Sequence, residues 1–354
     1  MANIGFVSYW GFGRGRAYTT QSITKMLKGK HNVYVLQQGS NLLTKEYFGL
    51  AHVTVSPTYM VDEDLFRKWI TDNKLDAVVL NEYGQWNQEE TDLVGIAKEL
   101  GCKVYGFFVI EAFKKEQAEG FDRVFVQCIT VERFMRTNKI RNFTYIPYSI
   151  DLKEFDRVKT NPDKFTFLHV GGFGGVHNRK NTQLVIDAFV KLNNPDTKLI
   201  VTAQTDYPIN VPEGHDIELI KIDLSREELL DVYHRANVAV FPSKWETIGI
   251  PILEALATSV PVITCDVPPM NEFVRTGLNG YLVKADLKPY QGISVLGATP
   301  DVSTLKNYME TSMNSSVYDM LSRNARFVVE KLYNVDKNKD YILKFLEKDL
   351  GEKK

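Results

Sequence analysis

The side chains best placed to do chemistry lie in the stretch Phe241-Pro-Ser-Lys-Trp-Glu-Thr-Ile-Gly-Ile-Pro-Ile-Leu-Glu254. An apolar strand ends at Phe241, a short loop follows, and Pro251 stands where a first helical turn begins, a place that tolerates its missing N–H. The backbone N–H groups of Thr247, Ile248, Gly249 and Ile250 therefore open a helix, whose positive dipole end suits an anion such as a diphosphate. Gly249 lets the backbone approach it closely. Glu246 and Glu254 would repel a phosphate, so they are better suited to accepting hydrogen bonds from sugar or ribose hydroxyls.

A second stretch, Val170-Gly-Gly-Phe-Gly-Gly-Val-His-Asn-Arg-Lys-Asn181, pairs a glycine-rich turn with two adjacent bases. Arg179 and Lys180, at the start of the next helix, could neutralise a diphosphate leaving group. A third, Trp10-Gly-Phe-Gly-Arg-Gly-Arg16, has a spacing close to a dinucleotide fingerprint. Arg16 replaces its last glycine, and the next strand ends in Gln37-Gln38 without an acid for a ribose, which disfavours nicotinamide binding. Asp62-Glu-Asp64 resembles a two-aspartate metal pattern but directly precedes an amphipathic helix, so it reads as an N-terminal cap. Asn142-Phe-Thr fits a glycosylation pattern but falls on a predicted strand of a chain without a secretory signal, and is discarded.

Pro242-Ser243, Glu246, Gly249, Pro251, Glu254-Ala-Leu-Ala257 and Pro261-Val-Ile263 together resemble the donor-site signature of glycosyltransferase family 4, in which two glutamates are separated by seven residues. The resemblance covers residues 145 to 285 well, and the N-terminal part in architecture only. It implies the GT-B fold, two facing Rossmann-like domains, and transfer with retention of anomeric configuration. It further implies that Glu246 contacts donor-sugar hydroxyls, the Thr247 to Ile250 backbone the sugar and phosphate, and Glu254 the ribose. Lys180 fits the family's lysine. Gly172 stands where the family usually has an arginine, with Arg179 the candidate replacement. The glycine-rich loop of the first domain would touch donor phosphate or acceptor through Gly13, Arg14 and Arg16. The family's cleft histidine has no counterpart near Val104 to Glu111, where Glu111, or Glu82 after the preceding strand, is a candidate substitute.

The elements that must hold these residues alternate along the chain. Ile4 to Ser8, Val33 to Leu36, Ala77 to Leu80, Val104 to Phe108, Val124 to Val126 and Phe143 to Ile146 read as strands. Between them Thr19 to Leu27, Leu65 to Ile70 and Glu89 to Leu100 read as helices, the last closed by Gly101. After a polar linker from Ile146 to Lys164 the alternation resumes. Strands are expected at Phe165 to Val170, Leu199 to Thr202, Glu218 to Lys221, Val238 to Phe241 and Pro261 to Thr264. Helices are expected at Asn181 to Leu192, Arg226 to Arg235 and Pro251 to Ala257, and helix prevails beyond Val302. Strands apolar on both faces call for parallel sheets covered by helices, an α/β class with two doubly wound domains. The expected divisions are 1–150 for an acceptor-side domain, 151–330 for a donor domain, and 331–354 for a C-terminal helix able to cross back to the first domain.

Composition narrows the partners. The 354 residues carry 43 basic and 44 acidic side chains, so no basic field favours a nucleic acid. No apolar run is long enough for a membrane span. Cys102, Cys128 and Cys265 lack metal or redox spacing and read as buried free thiols, in keeping with a cytoplasmic chain. The expectation is a retaining hexosyltransferase that moves a sugar from a nucleotide-diphosphate donor to a carbohydrate or other hydroxyl acceptor. It needs neither metal nor cofactor, because Arg179, Lys180 and a helix end carry the leaving group's charge. Aromatic residues Tyr9, Trp10, Tyr83 and Trp86 are candidates for stacking on a sugar. The rivals are a nucleotide-sugar epimerase of similar fold and a degenerate nucleotide-sugar binding protein.

Overall fold

The computed structural model describes residues 1–11, 15–39, 49–83, 92–156, 162–172, 176–204 and 208–351. In chain order the first unit contains β1 (Asn3–Ser8), α1 (Gly15–Leu27), β2 (Asn32–Gln37), β3 (His52–Val55), α2 (Glu63–Asp72) and β4 (Ala77–Asn81). It continues with α3 (Leu93–Glu99), β5 (Lys103–Phe107), α4 (Lys115–Gly120), β6 (Arg123–Val126), α5 (Ile129–Thr137) and β7 (Phe143–Tyr145). Among the described residues these strands form one seven-stranded sheet of order β3-β2-β1-β4-β5-β6-β7, parallel throughout. The apolar runs explain it: all five residues of β4 are buried, as a central strand covered by helices on both faces requires.

The second unit repeats the plan. It holds β8 (Phe165–Gly172), α6 (Thr182–Leu192), β9 (Thr197–Ala203), β10 (Ile217–Ile220), α7 (Arg226–His234), β11 (Val238–Phe241), α8 (Ile250–Ala257), β12 (Val262–Cys265), α9 (Met270–Phe273) and β13 (Gly280–Val283). Its parallel sheet runs β10-β9-β8-β11-β12-β13, and an antiparallel hairpin, β14 (Ala285–Lys288) with β15 (Gly297–Pro300), follows. Helices α10 (Val302–Ser312) and α11 (Ser315–Leu332) complete it. Counted within each unit, the second sheet has strand order 3-2-1-4-5-6 and the first has the same order with a seventh strand added at its end, the doubly wound arrangement whose ligands sit where the order reverses.

The chain divides into Met1–Asp151 together with Val335–Lys354, and Leu152–Asn334. The last helix, α12 (Val335–Leu350), belongs to the first unit, where Val335, Ile342 and Leu346 are buried with Met26, Leu27 and Trp10 in one core. The Tyr105 hydroxyl donates to Asp349 at 2.7 Å, and Asn338 Nδ2 to Ser149 Oγ at 2.9 Å. Helix α11 runs to Leu332, so the return to the first unit starts at Val335 and not at 331.

Several local expectations change. Strands β3 and β13, the hairpin and helix α4 carry no strong sequence signal, whereas α5 does carry one, its buried Val131 and Met135 standing four residues apart. β3 is an edge strand with no buried residue, and β14 is mostly exposed. Helix α3 starts at Leu93, with Asp92 accepting from the Gly95 N–H at 2.9 Å, and residues 89–91 of the expected helix lie outside the described residues. Gly101 follows it at φ +82°, as a helix stop requires. Asp62 caps α2 by accepting from the Leu65 N–H at 3.0 Å. The Asn142 amide donates to the carbonyls of Ala118 and Phe121, a structural duty. All three cysteines are free and buried, and burial pushes the Cys102 and Cys265 thiols up to about 11 and about 12.

Candidate active site

In the second unit the strand order reverses between β8 and β11, which pair in parallel with Val238 opposite Phe167. The loop after β8 carries Arg179 and Lys180, and the loop after β11 carries Glu246. Sixty-odd residues of chain separate them, yet two backbone and side-chain bonds sew the loops together. The Lys244 N–H donates to the Arg179 carbonyl at 2.8 Å, and Asn181 Nδ2 to the Pro242 carbonyl at 2.7 Å. The sequence expected these two loops to serve one ligand, and the topology makes them neighbours.

Glu246 is buried, and both its oxygens are engaged. Arg179 Nη1 lies 2.5 Å from Oε2 and Lys180 Nζ 2.6 Å from Oε1. Burial alone would raise this carboxyl, but the charges of Arg179 and Lys180, helped by the Lys180 and Ser243 hydrogen bonds, hold it down at about 2. It is therefore an acceptor throughout the neutral range. Two cations against one carboxylate leave the cluster net positive, a place for an anion with a built-in hydroxyl acceptor.

Gly249 caps α8 from φ +89°, and Pro251 sits in the first turn. A Cβ at Gly249 would lie 3.2 Å from Ile252 Cδ1. In the first turn Pro251 has no N–H and Ile252 donates to the Gly249 carbonyl at 2.9 Å, so the Gly249 and Ile250 N–H groups are the ones a helix start can offer to an anion. Ile248 and Ile250 are buried, which anchors this start, and Thr247 is half-buried beside Glu246. Gly172 ends β8 at φ +51°, its carbonyl accepting from the Gln204 N–H at 2.7 Å. The preceding Gly171 is the tighter position, since a Cβ there would meet the Thr202 carbonyl at 2.9 Å.

Glu254 lies on α8, almost wholly buried, and is held by partners that sequence reasoning missed. Arg226 Nη1 bonds Oε1, and the Tyr233 hydroxyl donates to Oε2 at 2.9 Å. Arg226 also reaches Glu154 at 3.5 Å and lies over the Phe155 ring. One signal was available. An arginine in the first turn of a helix, here just after the Ser225 cap of α7, opposes the helix dipole and implies a carboxylate elsewhere. His169 was missed as well. Fully buried on β8, it bonds the Val240 carbonyl through Nδ1 at 2.7 Å and the Thr182 hydroxyl through Nε2 at 3.0 Å. A carbonyl only accepts, so Nδ1 carries the proton and the neutral ring accepts at Nε2. Burial lowers its pKa to about 4.

The first unit contributes less. Gly13 and Arg14 lie outside the described residues, as does Trp86, and the placement of the Arg16 side chain is likewise outside them. The expectation that Trp10 stacks on a sugar is corrected, because the ring is buried in the core. Tyr9 packs edge-on against Tyr59, and Tyr83 against Phe121. Gln37 accepts from the Gly11 N–H at 2.8 Å, so the strand end that lacks a ribose acid instead fixes the turn after β1. Glu111 is buried on a short 3-10 turn, Ile110–Ala112, and Glu82 follows β4 at φ +58°. Among the described residues no group of three or more His, Cys, Asp or Glu side chains converges as a metal site, and no helix is long and apolar enough to cross a membrane.

Residues 164–291 match the family described as Glycosyl transferases group 1, the segment that holds Lys180, Glu246 and Glu254. The lipopolysaccharide core biosynthesis mannosyltransferase LpsB of Rhizobium meliloti is 32% identical over 163 residues, 40% of this chain and 46% of that protein. The O-antigen chain mannosyltransferase RfbU of Salmonella typhimurium is 34% identical over 119 residues, 31% of this chain and 33% of that one. The chain thus spans less than half the length of these curated relatives. Among solved structures, sucrose-phosphate synthase of Thermosynechococcus elongatus superposes with a TM-score of 0.72 at 18% identity, over 98% of this chain and 99% of that one. HepE of Anabaena in complex with UDP-glucose gives 0.72 at 14% identity over 98% and 100%. The fold is that of the GT-B glycosyltransferases.

Proposed function

We propose that this protein is a retaining glycosyltransferase that takes a sugar from a nucleotide-diphosphate donor and passes it to an acceptor hydroxyl without a metal ion. The observation that carries the reading is the Arg179–Glu246–Lys180 cluster at the point where the second sheet reverses its strand order. The diphosphate lies against Arg179, Lys180 and the start of α8. Negative charge grows on it as the glycosidic bond breaks, and these cationic groups stabilise that charge in place, as a metal would elsewhere. Glu246, ionised and already oriented by both bases, accepts hydrogen bonds from the donor sugar's hydroxyls. Glu254, fixed by Arg226 and Tyr233, accepts from the ribose. Gly172, where an added Cβ would meet only Gln204 Oε1 at 4.0 Å, leaves room for the phosphates near the end of β8.

Glu246 is the carboxylate of this cluster, and with both oxygens held by Arg179 and Lys180 it serves as a hydrogen-bond acceptor and not as a nucleophile. The resemblance to glycosyltransferase family 4 implies that the acceptor attacks from the face the diphosphate leaves, and that the leaving phosphate oxygen takes the acceptor's proton. The relatives named as mannosyltransferases, and the neighbour bound to UDP-glucose, support a hexose donor. The test is Glu246→Gln, assayed by nucleoside-diphosphate release from a panel of nucleotide sugars that includes UDP-glucose. Turnover should fall at least about 100-fold while nucleotide affinity changes little. Equal turnover would remove Glu246 from the reaction, and a product of inverted anomeric configuration would overturn the retaining mechanism.

A further inference from the structure

The family match stops at residue 291, in the loop between β14 and β15, so β14 and Tyr290 fall inside it and β15 beyond it. Two-stranded hairpins are at best marginal alone, so this one must draw its stability from what it packs against. It packs against the donor loop. The Ala298 N–H donates to the Lys244 carbonyl at 2.7 Å, joining β15 to the backbone between β11 and Glu246. The hairpin's connecting loop carries Tyr290, whose ring lies 5.2 Å from that of Trp245 and 5.3 Å from that of His177. His177 and Trp245 are themselves 6.4 Å apart, so three rings from three loops meet.

Two of the three rings sit one or two residues from the cluster. Trp245 precedes Glu246, and its carbonyl accepts from Arg179 Nη1 at 3.1 Å. His177 lies two residues before Arg179; its carbonyl accepts from Lys244 Nζ at 2.5 Å, and its ring Nε2 bonds the Gln291 carbonyl at 3.0 Å. Lys244 Nζ and Lys288 Nζ both approach the Tyr290 ring, at 5.1 and 5.5 Å. Gly297 makes the contact feasible, since a Cβ there would fall 2.4 Å from Tyr290 Cε2 and 3.1 Å from Trp245 Cε3.

We infer that the hairpin is a brace for the donor site, and that Tyr290 is a positioning residue which holds His177 and Trp245 so that Arg179, Lys180 and Glu246 meet in register. The inference rests on the reading of that cluster as the nucleotide site. A cluster built from two long, flexible bases on a glycine-rich loop has many competing arrangements, and misplacement by about 1 Å can cost on the order of 100-fold. Three packed rings remove that freedom without touching the ligand. The brace therefore acts on the quality of the site and leaves the sheets beneath it unchanged.

The experiment compares the full chain with Tyr290→Ala, Tyr290→Phe and Leu287→Ser by calorimetric titration with UDP, GDP and ADP, well below each melting temperature. Leu287 is an exposed hairpin residue with 52% of its surface accessible and serves as the control. Tyr290→Ala should weaken the preferred nucleotide at least tenfold, while Tyr290→Phe and Leu287→Ser stay within about twofold of the wild type. Loss of affinity in Tyr290→Ala with restoration in Tyr290→Phe marks positioning by the ring. Wild-type affinity in Tyr290→Ala, or equal loss in Leu287→Ser, overturns the brace while leaving the nucleotide site intact. Failure of the wild type to bind any of the three overturns the nucleotide site and the brace with it.

Discussion

Two buried glutamates, one on a loop and one on a helix, are tolerable only because each is matched. Glu246 is neutralised by Arg179 and Lys180, and Glu254 by Arg226 with the Tyr233 hydroxyl. Removing one partner of such a pair leaves a buried charge alone, which costs about 3–5 kcal/mol. Arg226→Ala should therefore lower the urea-unfolding free energy by about 3 kcal/mol, and an unchanged midpoint and slope would show that the pair is not needed. The buried His169 gives a second prediction. Its folded pKa of about 4 lies below the free value of 6.5, so between these pH values the unfolded chain binds a proton that the folded chain refuses. Stability is then fully present above about pH 6.5 and falls toward pH 4, by roughly 3 kcal/mol in all. His169→Gln should flatten that slope in denaturation experiments between pH 4 and 6.5. The Glu246 carboxyl works in a lower window, its contribution lost only as pH falls from about 4.5 toward 2.

Among elements, α8 and the loop before it decide whether the site exists. The turn at Gly249 needs φ +89°, which costs a residue with a Cβ about 1–2 kcal/mol, and the added carbon meets Ile252. Gly249→Ala should lower stability by about that amount and weaken nucleotide binding more than heat stability alone explains, as checked by paired melting and titration curves. Central strands were legible because they are apolar on both faces and bracketed by turn residues. The same rule left β3 unread, since an edge strand buries little, and it left the hairpin unread, since β14 faces solvent and Pro289 follows it. Glu246, Glu254 and Lys180 were legible because their chemistry depends on local spacing at a strand end and helix start. Tyr233 and Tyr290 were not, because their roles arise from contacts across 20 to 50 residues of chain that no local pattern encodes, and Arg226 left only the local hint of an arginine in a first helical turn.

At the scale of the molecule, one chain builds the same sheet order twice and then spends its last helix on the first unit. Val335, Ile342 and Leu346 are buried there, and burying each is worth about 1.5–3 kcal/mol. A chain ending at Asn334 should lose roughly 5 kcal/mol or more from the first unit and leave the second protected, a contrast that hydrogen exchange would read unit by unit. In the second unit a near-neutral chain sets two cations, Arg179 and Lys180, against one buried carboxylate, the place proposed for a nucleoside diphosphate. The most direct measurement is calorimetric titration of UDP, GDP and ADP into the wild type and into an Arg179→Ala, Lys180→Ala double variant, repeated at two salt concentrations. Saturable binding of at least one nucleotide by the wild type is expected, with affinity lowered at least about 100-fold in the variant and a weaker salt dependence. Equal affinity and equal salt dependence in the two proteins would contradict it.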